Sequence, residues 1–328
     1  MTRNTPATYP LKKKALAKRA NWKRRLIIAA VFIVIILIAT LAAIPPIVIN
    51  AMKLTAPVKF SSVYSSASFG LDAESIRLNT PDGLALEAWY APVASPKAIV
   101  IFLSGIQNPS VTAYFPHAAW LQREGYASVL VEMRAHGGSD GDRIGLGITE
   151  VNDVRAAVSF IRSRNTPYIP IVAFGVSMGG ATAINAFGEI PDIAGVISLS
   201  AYASFPDMFC QQMARTLGVP DSITQIEKPF VWLYLGVTYG FDKLHINPLA
   251  EIQKANGRPI LLMQSLDDSQ VSYSNFEMLS AAAPDADTFL RNGDYHFIIS
   301  PDQFLNPEDD ESYVESILEF LNANFGDV

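Results

Sequence analysis

Ile169-Pro170-Ile171-Val172-Ala173-Phe174-Gly175-Val176-Ser177-Met178-Gly179-Gly180 reads as an apolar run of buried-strand length that ends on a glycine-flanked serine. A helical pattern over Met178–Glu189 follows at once. The core of the stretch is G-x-S-x-G, and strand, sharp turn and helix come in the order that pattern requires. A serine projecting from such a turn needs neighbours without side chains that would collide with it, and Gly175 and Gly179 supply them. The helix start directs free N–H groups and the positive end of the helix dipole toward developing negative charge. Ser177 is therefore the candidate nucleophile. The five-residue pattern alone is common, and its flanking strand and helix separate it from a plain tight turn.

Outward from this point, strands and helices alternate. Ala73–Asn79 and Leu84–Tyr90 flank Thr80-Pro81-Asp82-Gly83, a hairpin with strong turn chemistry. Further buried strands are expected at Ala98–Leu103, Ser128–Val131, Ile169–Gly175, Ile193–Leu199, Ile260–Gln264 and Thr288–Leu290. Helical periodicity marks Val111–Glu124, Thr149–Ser163 and Ser312–Asn324. The alternation predicts an α/β fold with a mostly parallel sheet and helices on both faces. Between Ser200 and Pro259 no strand pattern appears, and Phe205–Leu217 and Ile226–Tyr239 read as helices. That interval is too long for an ordinary connection, so a helical insertion over about 201–258 is expected.

From about Asp72 onward the chain resembles the α/β-hydrolases, in particular serine aminopeptidase-like hydrolases and monoacylglycerol lipases. The resemblance rests on the Ser177 motif and on motifs in the same order. Val129–Arg134 with His136-Gly137-Gly138-Ser139-Asp140-Gly141 is similar to the family's strand and R-G-H-G-x-S-x-G turn, with Ala135 for the first glycine and Glu132 for the usual Asp. Asn247-Pro248-Leu249 resembles the S-P-L stretch before the penultimate strand.

In this fold the catalytic order is Ser, acid, His. His296, in a Gly-containing loop beyond the last strand, stands where the family keeps its base. His117, His136 and His245 are the competitors, and His136 belongs to a structural turn in similar proteins. Asp267-Asp268-Ser269-Gln270-Val271 resembles the family's H-G-x-x-D-x-x-V-P pattern, and aligning on Val271 selects Asp268 over Asp267 as the orienting acid. Gln264-Ser265 depart from His-Gly there, and Ser272 departs from Pro. The oxyanion donors implied are the backbone N–H of Met178 and, from the loop Ser104-Gly105-Ile106-Gln107-Asn108, that of Ile106. There, too, Ser104-Gly105 replace the family's His-Gly.

Hydrolysis of an ester or related acyl bond through an acyl-enzyme is the expected chemistry. Peptidase or thioesterase activity would use the same groups, and a catalytically silent scaffold is the rival reading. An epoxide hydrolase or dehalogenase would carry Asp at position 177. Phe205, Met208, Phe209, Met213, Phe230, Trp232 and Tyr234 are candidates for an acyl pocket or for the insertion's own core. The expected partner is a small-molecule or lipid-like acyl substrate.

The chain has 328 residues, half of them hydrophobic and 17% charged. Residues 1–25 hold nine Lys/Arg and no acid, while the other 303 hold 16 Lys/Arg against 31 acids. A main body of about −15 argues against nucleic acid as partner. A single cysteine, Cys210, excludes an intrachain disulfide, and four scattered histidines show no ligand spacing, so no metal or organic cofactor is expected. Leu26–Ile44 is a 19-residue uncharged run, long enough as a helix to cross about 28 Å of hydrocarbon. Lys12, Lys13, Lys14, Lys18, Arg19, Lys23, Arg24 and Arg25 flank one side, and Pro45-Pro46 are expected to end the helix on the other. The reading is a basic tail over 1–25, an uncleaved transmembrane helix over 26–49 and a connector over 50–71. It puts the amino end in the cytoplasm and the hydrolase domain, 72–328, across the membrane. A signal peptide is the alternative, but its apolar core would be shorter, and Thr40-Leu41-Ala42 is a poor cleavage site.

Overall fold

The computed structural model describes residues 9–164 and 169–326, with side chains of the first helix described from Asn21 onward. Helix α1 (Tyr9–Ala51) precedes an 8-stranded sheet. Its strands are β1 (Glu74–Asn79), β2 (Ala85–Ala91), β3 (Ile99–Leu103), β4 (Ala127–Val131), β5 (Ile171–Val176), β6 (Ile193–Leu199), β7 (Ile260–Ser265) and β8 (Asp287–Arg291). They lie in the order β1-β2-β4-β3-β5-β6-β7-β8. β1 pairs antiparallel with β2, and β2 with β4; every other pair is parallel. The helices that follow α1 are α2 (Phe115–Arg123), α3 (Val151–Ser163), α4 (Met178–Glu189), α5 (Phe205–Leu217), α6 (Asp221–Thr224), α7 (Lys228–Tyr239), α8 (Pro248–Glu251), α9 (Tyr273–Ala282) and α10 (Glu311–Phe325).

The central strands are apolar throughout because helices cover both faces of the sheet. Successive side chains point to opposite faces, and the core divides accordingly. Ile99, Ile101 and Leu103 join a cluster with Val154 and Ala157 of α3 and Ile184 and Phe187 of α4. Val100 and Phe102 join the other, with Phe115 and Trp120 of α2 and Ile317 and Phe320 of α10. Because parallel strands all run one way, β5 and β7 end at one edge of the sheet, and the loops beyond them can converge there.

Between β6 and β7 the chain forms the helical insertion α5–α8, with no strand among its described residues. Ser204 starts α5 by accepting from the Asp207 N–H, and Gly218 ends it in the left-handed conformation. Phe205 and Phe209 are buried in the core cluster, with Met208, Met213, Trp232 and Tyr234 packed against it. These side chains join the insertion to the same core cluster as β3, β5 and α4.

Helix α1 corrects one expectation. Pro45 and Pro46 do not end it; the helix runs through both to Ala51. Two missing N–H donors weaken the helix there. Packing offsets the loss: Pro45 and Ile49 are buried, and α1 rests on α7 and on the 3₁₀ turn Gln225–Glu227. The segment Asn21–Ala51 is long and apolar enough to cross a membrane, and its most apolar window has a mean hydropathy of 3.3 with no residue buried. Thr40, the one hydroxyl in the run, donates to Ile36 O at 2.9 Å and so leaves no free donor. Of the basic flank, Arg3 and the side chains of Lys12, Lys13, Lys14, Lys18 and Arg19 lie outside the described residues.

Candidate active site

Ser177 sits between the end of β5 and the first residue of α4 with φ 56° and ψ −120°. For a residue with a Cβ this is strained backbone, of the kind that costs about 1–3 kcal/mol and persists only where surroundings enforce it. Two hydrogen bonds enforce it here. The Ser177 N–H donates to Leu199 O at 2.8 Å, and Ser177 O accepts from Ala181 N at 2.9 Å. Close packing does the rest. A Cβ on Gly175 would lie 2.1 Å from Gly179 O, and one on Gly179 would lie 2.3 Å from Ser104 O. Both glycines are therefore required by sterics, and they let the elbow press against the loop after β3.

That loop is the candidate oxyanion loop. A Cβ on Gly105 would sit 3.8 Å from Ser177 Cβ, so a side chain there would fill the space beside the serine. Met178 N–H belongs to the first turn of α4, where N–H groups have no intrahelical acceptor. Among the described residues the Ile106 N–H likewise has no protein acceptor. The Ile106 carbonyl is held from behind by His136 Nε2 at 2.8 Å, while His136 Nδ1 lies 2.8 Å from Arg134 O. Both ring nitrogens of His136 are thus occupied by backbone, which removes it as a base. Gln107 Nε2 donates to Met52 O and Lys53 O at 3.2 and 3.3 Å, tying the same loop to the chain just beyond α1.

Asp268 and His296 meet at the ends of the loops after β7 and β8. His296 Nδ1 lies 2.9 Å from Asp268 Oδ2 and 3.1 Å from Oδ1. Asp268 is 2% exposed, which would raise its pKa; the His296 ring and the N–H groups of Val271 and Gln270 outweigh that and hold it below the usual carboxylate value. The backbone bonds are 2.9 and 2.8 Å long. Asp267, in contrast, is exposed. No hydrogen bond joins the Ser177 hydroxyl to His296 among the described residues.

The other histidines are engaged elsewhere. His117 is buried between Phe304 O at 2.9 Å and the Tyr313 hydroxyl at 3.2 Å, and burial lowers its pKa to about 4. His245 is exposed, with Nδ1 2.7 Å from Asp242 O.

Several supporting residues escape a reading of motifs. Gln264 Nε2 donates to Asp268 Oδ2 and to Val271 O, both at 3.2 Å. The Ser265 hydroxyl donates to Gly293 O and accepts from Tyr295 N at 3.0 Å, pinning the His296 loop to β7. From the insertion, Gln212 donates to Gln270 O and Arg215 to Ser269 O, so α5 grips the acid loop. No group of His, Cys, Asp and Glu among the described residues has the arrangement to hold a metal ion.

Comparison with known proteins supports the fold. Residues 94–230 match the family model for serine aminopeptidase, S33. The uncharacterized protein YfhR of Salmonella typhi is 24% identical over 279 residues, covering 83% of this chain and 89% of YfhR. The esterase Pf2001 of Pyrococcus furiosus superposes with a TM-score of 0.64 at 20% identity, over 82% of this chain and 98% of the esterase. A puromycin-hydrolyzing peptidase of Mycobacterium tuberculosis superposes with a TM-score of 0.58 at 19% identity, over 78% of this chain and 40% of the peptidase. The chain has the α/β-hydrolase fold, and its residues 94–230 carry the serine aminopeptidase S33 pattern.

Proposed function

We propose that this protein is a membrane-anchored serine hydrolase that cleaves an ester or related acyl bond through an acyl-enzyme on Ser177. The observation that carries the reading is the strained Ser177 at the start of α4, combined with the buried Asp268–His296 pair. In the first step Ser177 Oγ attacks the substrate carbonyl carbon while His296 Nε2 takes its proton. The N–H groups of Met178 and Ile106 receive the oxyanion. Collapse of the tetrahedral species breaks the acyl bond, and His296 returns the proton to the leaving group. Water then repeats the sequence on the acyl-enzyme, with His296 again as base. Asp268 keeps the proton of His296 on Nδ1 and stabilises the imidazolium that forms in each half. Helix α1 serves as the membrane anchor.

The test is reaction with a fluorophosphonate probe. The wild-type protein should be labelled and Ser177→Ala should not. Equal labelling of both would place the reactive nucleophile elsewhere than Ser177, and labelling of neither would favour the silent-scaffold reading. Hydrolysis of aryl esters, thioesters and peptides side by side then fixes the leaving group.

A further inference from the structure

The insertion carries an apolar stripe that its own core does not use. Ile226, Leu233 and Val237 are 58, 47 and 72% exposed, and their spacing of seven and four residues puts them on one side of the 3₁₀ turn and α7. The opposite side of α7, through Val231 and Leu235, is buried. Ile223 precedes the stripe and Phe241 follows it, both more than half exposed. From Ser222 to Phe241 the only charged residues are Glu227, which is buried, and Lys228, which is paired with Asp207 at 2.5 Å. An uncharged row of large side chains is what a protein presents to a partner.

The occupant follows from α1. Its last turns pack on α7 and on the very turn that holds Ile226. Leu41, Ala42 and Ile44, still within the apolar run Leu26–Ile44, are already half-buried there, while Ile47 is 63% exposed. The insertion therefore overlaps the final turn of the span. A bilayer that covers Leu26–Ile44 must reach the insertion, and the turn where the stripe starts is one of the elements packed on α1.

We infer that the outer face of α7, with Ile226, Leu233 and Val237, is an interfacial membrane-binding surface that dips into the headgroup and acyl-chain boundary of the bilayer beside α1. The surface holds the candidate site against the membrane. Gln107 joins the candidate oxyanion loop to Met52 and Lys53 at the foot of α1, and the same loop packs at Ser104 against Gly179 of the Ser177 elbow. Amphiphilic esters held in the bilayer then lie closer to Ser177 than soluble ones. The inference rests on the proposal that α1 is a membrane anchor.

The experiment uses the full chain in phosphatidylcholine liposomes, with an environment-sensitive fluorophore on one introduced thiol. Cys210 is buried and leaves the new thiol as the accessible one. Val237→Cys and Leu233→Cys read the stripe, Ile35→Cys reads α1, and Glu315→Cys on the exposed side of α10 reads water. The quenchers are nitroxides placed on the lipid chain, one close to the headgroup and one near the bilayer centre. We expect the labels at Ile35 and at both stripe positions to lose most of their emission while the label at Glu315 keeps it. Quenching at Ile35 with none at Leu233 or Val237 overturns the surface and leaves the anchor intact. Absence of quenching at Ile35 overturns the anchor, and the surface with it. Unquenched stripe labels with Val237→Cys cross-linking to itself would assign the face to a second copy of the chain, also overturning the inference.

Discussion

The Gln264 side-chain amide donates to Asp268 Oδ2 at 3.2 Å, on the side of the carboxylate away from the Gln270 and Val271 N–H groups that hold Oδ1. Gln264 and Ser265 stand where the resembling family carries His-Gly. The first braces the acid, and the second, through Gly293 O and Tyr295 N, braces the loop that carries the histidine. A departure that looks like decay in the sequence is a clamp on the Asp268–His296 pair in the fold.

Gln264→Leu should lower kcat by about ten-fold, the equivalent of about 1.4 kcal/mol, because one carboxylate oxygen loses a donor while the backbone donors remain. The acid limb of the kcat/KM profile should move to higher pH in the same variant. An unchanged profile would show that Gln264 acts on packing alone.

Asp268→Asn should cost about 10³–10⁴-fold in kcat, since an amide cannot hold the required tautomer of His296. Asp267→Asn, at an exposed position, should stay close to wild type. Equal, mild effects from the two would refute the assignment of the acid. The lowered pKa of Asp268 also has a stability sign: its contribution is present above its ordinary value of 3.8 and is lost as pH falls through the lowered folded value. Urea denaturation at stepwise lower pH should show that loss in the wild type and not in Asp268→Asn.

Ser177→Ala and Ser177→Gly should both be inactive, yet differ in stability. Glycine adopts positive φ without a Cβ clash, so Ser177→Gly should be more stable than Ser177→Ala by about 1 kcal/mol after the entropy of the unfolded chain is counted. Thermal melts of the two variants give the comparison. A less stable Ser177→Gly would mean that the elbow stores no strain.

Glu132 is buried beside the turn at Ser110-Val111, where its Oε2 accepts from Ser110 Oγ at 2.6 Å. Burial raises its pKa from 4.5 to about 7 against the opposing hydrogen bonds from Ser110 and Val111. The folded state therefore binds a proton that the unfolded chain has released, and stability falls as pH rises from 4.5 to about 7. Glu132→Gln should remove that slope, gaining about 3 kcal/mol on wild type above the window and little below it. Parallel slopes for the two proteins would exclude Glu132 as the source.

The strands were legible because each central one is a short, unbroken apolar run, and Ser177 was legible because its motif needs a strand before it and a helix after it. Asp268 and His296 needed the order of the fold, since the sequence places them 28 residues apart with nothing local to link them. Gln264 and Gln107 were not legible as supports, and His136 was legible only as part of a structural turn. Their roles are hydrogen bonds to backbone or to a distant carboxylate, and no periodicity or spacing encodes those. The run of α1 through Pro45-Pro46 was misread for a related reason. Local propensity ends a helix there, and the burial of Ile49 against the insertion, a tertiary contact, carries it on.

The last prediction concerns topology. The basic flank stands on one side of the apolar run, and orientation follows nearby Lys/Arg rather than the acid excess of the main body. The amino end should remain in the cytoplasm, with the hydrolase domain across the membrane and uncleaved. Uncleaved attachment agrees with the packing of α1: Ile49 is fully buried in the domain core, and Thr55 O accepts from Ile144 N at 3.0 Å, so the helix and its connector are part of the folded unit. Cleavage near residue 43 would leave Ile49 at the end of a short loose segment and should lower the melting temperature. Protease treatment of intact spheroplasts, with a carboxyl-terminal tag, provides the measurement. The tag should be degraded from outside while the chain stays with the membrane fraction. A tag protected in sealed spheroplasts reverses the orientation. A soluble product that begins near residue 43 identifies the run as a signal peptide instead.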